Sequence, residues 1–106
     1  MSADTAAAVA AIRLGLQTLR HTALGDTADH EDQAHVLQAL YDDRHREGSV
    51  LGMVSDMLTD LGLTLGDQGA EDAAEAVDEA AAYVQDSAGL RLERARTVLT
   101  GQRNRT

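Results

Sequence analysis

Apolar or small side chains recur at Ala70, Ala73, Val77, Ala81, Val84, Ala88, Leu92, Ala95 and Leu99. At 100° per residue they fall within one sector about 100° wide, so the pattern predicts a single long helix over residues 68–100. The steps average about 3.67 residues per turn, which suits a straight helix better than a left-handed supercoil. Glu71, Asp72, Glu75, Asp78 and Glu79 crowd its first turns and Arg91, Arg94 and Arg96 its last ones. Each block complements the helix dipole.

Three shorter helices are predicted ahead of it. Residues 4–22 place Val9, Ile12, Leu16, Leu19 and Ala23 on one face, with Asp4 or Thr5 as cap, Ala8, Ala11 and Gly15 flanking, and Leu14 pointing away. Gly25 and Asp26 close that helix, and Thr27 or Asp29 caps the next, over residues 28–47, where Val36, Leu37, Leu40 and Tyr41 oppose a polar stripe of Glu31, His35, Gln38, Asp42 and His45. Gly48 stops it. Ser49 caps a third helix over residues 49–62, whose core face is read as Val50, Leu51, Val54, Met57, Leu58 and Leu61, with Gly62 and Leu63 as its glycine stop. Residues 64–69 are then a loop and 101–106 a tail. The expected fold is all-α: a single domain over residues 1–106, a small four-helix bundle with a long C-terminal helix that dimerises.

Composition strengthens the helical reading, because the 106 residues contain no Pro, Phe, Trp or Cys, and 43% are hydrophobic. Without cysteine there is no disulfide, thiolate ligand or thiol nucleophile. All nine basic residues are arginine, and lysine-dependent Schiff-base or phosphate-clamping chemistry is thereby excluded. No nucleophile elbow or Gly-rich phosphate loop is present, so no catalytic residue and no cofactor is assigned, and the chain does not read as an enzyme. The net charge of −9 argues against nucleic acid as a partner, since phosphate contact needs a positive surface, and only the stretch after residue 90 has an arginine excess. No apolar run is long enough to cross a bilayer, so no membrane partner is expected. The first residues lack a signal-peptide pattern, giving a cytoplasmic expectation that leaves leaderless secretion open.

Two constellations have chemical interest. Asp32 with His35 and Asp42 with His45 are one-turn acid–histidine pairs, and Glu31 precedes His35 by a turn; Glu31, His35, Asp42 and His45 form the candidate metal set, against the plainer reading of a solvated face. Ser49 is the other. The segment over residues 61–84, LGLTLGDQGAEDAAEAVDEAAAYV, resembles the loop and last helix of acyl carrier proteins, and Gly48-Ser49-Val50 opens a helix where that family carries a phosphopantetheinylated serine. The resemblance implies a carrier role for Ser49, with a small-molecule-binding helical domain using that serine as the companion reading, although glycine stands here in place of the family's aspartate. The AAAYVQDS segment is similar to small secreted helical hairpins of the type VII secretion class, but the Trp-x-Gly turn is missing and Ser87 occupies the position of that family's tail acid.

Geometry gives the partner expectation. A helix of about 33 residues is near 50 Å long, whereas a compact domain of this size has a radius of gyration of about 13 Å. The other helices are too short to cover it. Ala88, Leu90, Leu92, Ala95, Leu99, Arg91 and Arg94 are therefore the candidate interface to a second copy or another helical protein, where Arg91, Arg94 and Arg96 could face an acidic Glu71–Glu79 surface. Gly89 is the decisive position, since a break there would fold the remainder back into an ordinary monomeric bundle.

Overall fold

Ser2, rather than Asp4 or Thr5, begins the first helix: its hydroxyl accepts the Thr5 amide at 3.1 Å and fixes the N-terminus of α1 (Ala3–Leu24). The computed structural model describes residues 1–104, with side chains described through Gly101. Asp29 caps α2 (His30–Leu40) in a reciprocal box, accepting the Asp32 amide at 2.9 Å while the Asp32 carboxylate accepts the Asp29 amide at 3.2 Å. The described residues form five α-helices in all, joined by short connections and without a strand.

The second helix ends earlier than its sequence pattern suggests. Tyr41 and Asp42 are extended, and a 3₁₀ segment, Asp43–Gly48, replaces the predicted turns up to residue 47. Two local bonds account for this. Asp42 accepts the Arg44 amide at 3.0 Å and the Gln38 side-chain amide at 3.0 Å, a side-chain competition with the helical ladder that short acidic residues favour. Freed from the helix, Tyr41 turns inward and becomes fully buried.

Helix α3 (Val50–Asp67) starts on the predicted Ser49 cap but runs past Gly62. Its stop is Gly69, at φ +82°, with Ala70 N–H bonded to Leu65 O and Gly69 N–H to Gly66 O. That paired arrangement needs a left-handed residue after the helix, which glycine adopts without penalty. Gly62 has another use, because a Cβ there would meet the Asp78 side chain of α4 (Glu71–Ala82). Gly66 lies opposite Ala74, Gly62 opposite Asp78, and the Ser55 hydroxyl donates to Ala81 O at 3.2 Å, so α3 and α4 are antiparallel and packed through small side chains. The buried face of α3 is accordingly Gly52, Ser55 and Gly62, while Met57 and Leu61, expected in the core, are exposed.

The long helix continues without a break, but not as a uniform α-helix. Between α4 and α5 (Leu90–Asn104) lies a π-helical segment, Tyr83–Gly89. The Ser55 hydroxyl of α3 donates to Ala81 O, two residues before that segment begins. Gly89, outside the predicted stripe, is buried, as is Ala74, whereas Ala73, Ala88 and Ala95 of the stripe are exposed. The helix also extends through 104 instead of yielding a tail from 101, and residues 105–106 of that tail lie outside the described residues.

The two halves of the long helix have different neighbours within the chain. α4 packs on α3, and α5 packs on α2, so the second half is not left uncovered. The uncovered element is α1. Among the described residues none of its side chains is buried and its one substantial contact is with α2, where Gln33 Nε2 donates to Ala23 O at 3.2 Å to hold the junction. The molecule is therefore elongated, 56 × 30 × 18 Å, with a radius of gyration of 16.5 Å.

Candidate interaction surface

Ser49 is 1% exposed, its Oγ accepting the Gly52 amide at 3.2 Å and donating to Arg46 O at 3.1 Å. Both capacities of the hydroxyl are thus engaged at the cap, and a prosthetic arm attached there would require the start of α3 to open.

The four candidate metal ligands separate into two places. Glu31 and His35 line a cleft of about 170 Å³ between α2 and α5, together with His30, Gln38, Arg96 and Leu99. Its volume is below the ~300–1,000 Å³ usual for small-molecule sites, and the Arg96 guanidinium at its wall opposes a cation. Asp42 lies beyond the end of α2, buried, with His45 Nδ1 at 3.4 Å from its Oδ2. The Gln38 amide, the Arg44 backbone N–H and His45 all favour the ionised carboxylate, in that order of influence, and hold Asp42 below the usual carboxylate range. Asp32, the acid of the other pair, is committed to the α2 cap. Among the described residues no group of three or more His, Asp or Glu is arranged to hold a metal ion.

A polar junction surrounds the ring of Tyr41. Its hydroxyl donates to Asp43 Oδ1 at 3.1 Å, and burial raises its pKa above the ordinary phenol value. Arg46 reaches Asp56 at 2.8 Å and joins the 3₁₀ segment to α3. On the other side the ring rests on Gly89, where a Cβ would come within 2.9 Å of two ring carbons. The junction therefore holds α2, α3 and the π segment together. Gly89 is thus the position where the Tyr41 ring needs room, not a break in the helix, and the ring that fills the space of its missing side chain has no one-dimensional signature.

The candidate interface on the second half of the long helix is partly used inside the chain. Leu92 and Leu99 are half-buried, Leu99 in the cleft beside α2. Ala88, Leu90, Arg91, Arg94 and Ala95 are exposed; Arg91 donates to the Ser87 carbonyl at 3.1 Å and hydroxyl at 2.8 Å, and Arg96 lies 3.6 Å from Glu93. The arginines that could have met an acidic surface are thus in part held by their own helix.

Larger apolar side chains are uncovered elsewhere. On α1, Val9, Ile12 and Leu16 are 40%, 59% and 45% exposed and line an open groove with Arg13, Gln17 and Arg20. On α3, Met53, Met57 and Leu61 are 50%, 60% and 45% exposed and follow one another at four-residue spacing. Buried hydrophobic residues are by contrast few and mostly small: Ala34, Val36, Tyr41, Ala74 and Ala81. A single chain of 11.2 kDa is expected to expose about 5,700 Å² when folded alone. This one exposes 7608 Å².

No helix among the described residues is long and apolar enough to cross a membrane. No protein-family model, curated protein or solved structure matches the chain.

Proposed function

We propose that this chain is a non-enzymatic helical interaction and assembly module, which completes its hydrophobic core by laying α1 against another protein. The observation that carries the reading is α1 itself: 22 residues with an apolar stripe and no buried side chain. A helix held only at its end gains little from packing, and most helical stability in proteins comes from covering an amphipathic face. Burying a Val, Ile or Leu side chain contributes about 1.5–3 kcal/mol, so the stripe is worth several kcal/mol to whatever covers it.

The excess of exposed area supports the same reading. It amounts to roughly 1,900 Å² over a self-contained monomer, well above the ~800 Å² that each partner contributes to a standard stable interface. Native mass spectrometry of the protein purified gently from its own host tests the proposal. A stoichiometric complex, with itself or with another polypeptide, is the expected outcome. A bare single chain at every concentration, with α1 fully ordered, contradicts it.

A further inference from the structure

We infer that the partner is a second copy of this chain, with α1 of each protomer lying along the Met53–Met57–Leu61 face of α3 in the other. The inference rests on the assembly reading above and names its partner. Three features carry it.

The first is that the molecule exposes two apolar stripes of matching kind. Val9, Ile12 and Leu16 on α1 follow three- and four-residue steps, and Met53, Met57 and Leu61 on α3 follow four-residue steps, which are the ridges that interdigitate when helices pack. Two of the three α3 positions are methionine, whose unbranched side chain adapts to the surface laid on it.

The second is charge. Arg13 and Arg20 flank the α1 stripe, and Arg13, Ile12, Leu16 and Arg20 line one groove. Asp60 and Asp67 flank the α3 stripe on its exposed side, and α3 contains no basic residue. Both pairs are seven residues apart, two helical turns or about 10.5 Å. The arginine pair of one helix can therefore register against the aspartate pair of the other. The acidic surface of the rest of the chain makes such local complementarity necessary, because two copies with a net charge of −9 each otherwise repel.

The third is area. Reciprocal docking uses each stripe once in each protomer, so the contact is made twice and the assembly closes as a two-fold dimer. A standard stable interface takes about 800 Å² from each partner, and each chain exposes roughly 1,900 Å² beyond a self-contained monomer.

Charge exchange between full-length chains tests this. R13E/R20E makes both docking faces acidic, and D60R/D67R makes both basic; all four positions are exposed on helix surfaces, and circular dichroism checks that each variant remains folded. Sedimentation velocity should find wild type at twice the single-chain mass, and each variant alone roughly 100-fold weaker in self-association, as four exposed pairs turn from attraction to repulsion. Mixed in equal amounts, the two variants should recover a heterodimer, and the quadruple variant R13E/R20E/D60R/D67R should recover a homodimer. A dimer indifferent to both variants, or variants that do not rescue one another, overturns the inference. A wild type that stays single in isolation but forms a stoichiometric complex with a different polypeptide from its host overturns it too, and leaves the assembly reading standing.

Discussion

At the scale of the residue, Gly89 and Tyr41 act as one unit. An alanine at 89 would gain about 1 kcal/mol of helix propensity, yet its Cβ would stand 2.9 Å from the Tyr41 ring, and overpacking of that kind costs about 1–3 kcal/mol. Gly89→Ala is therefore expected to lower stability in urea titration, against the propensity scale. An unchanged or higher midpoint would show that the ring moves freely aside. Asp42 gives a pH signature. Its pKa is depressed in the folded state, so its contribution is present above the ordinary carboxylate range and is lost as pH falls through the folded value. Asp42→Asn should flatten the acid limb of the stability profile below about pH 5, and a profile parallel to wild type would contradict this. The glycine was visible in the sequence as the position on which the long helix turns. Its tyrosine partner was not, because periodicity put Tyr41 on the helix that Asp42 in fact terminates.

At the scale of the element, the helical class was legible, and so were the starts set by a local side-chain cap: Asp29, one of two caps expected for α2, accepts the Asp32 amide, and Ser49 accepts the Gly52 amide. The start of the long helix was not, because α3 runs to Asp67 through the expected loop and α4 begins at Glu71 with no side-chain cap. Ser49→Ala should cost about 1 kcal/mol, up to 2, in thermal or chemical unfolding by loss of the cap. The stops were less legible. Gly62 looked like a helix end but serves close approach of α4, whereas the left-handed stop is Gly69. Which face of a helix is buried was least legible of all. The sequence stripe on the long helix matches the buried face only in part: Ala73, Ala88 and Ala95 are exposed, whereas Ala74 and Gly89, off the stripe, are buried. On α3 the small residues Gly52, Ser55 and Gly62 take the core and Met57 and Leu61 face out, an inversion that hydrophobicity alone cannot reveal.

At the scale of the whole molecule, α1 is the helix with the least cover from its own chain: α5 packs on α2 and α4 on α3, while no side chain of α1 is buried. A radius of gyration of 16.5 Å, against about 13 Å for a compact chain of this length, records the projection. We propose that α1 is covered by another protein. Hydrogen exchange of the α1 amides, Ala3–Leu24, followed over a wide range of protein concentration, tests it most directly. In the self-associating case these amides are protected at high concentration and lose protection on dilution, while α3 and α4 keep theirs; for another partner, protection appears when that protein is added. Slow exchange throughout α1 in a chain of single-molecule mass, independent of concentration and partner, would contradict the account.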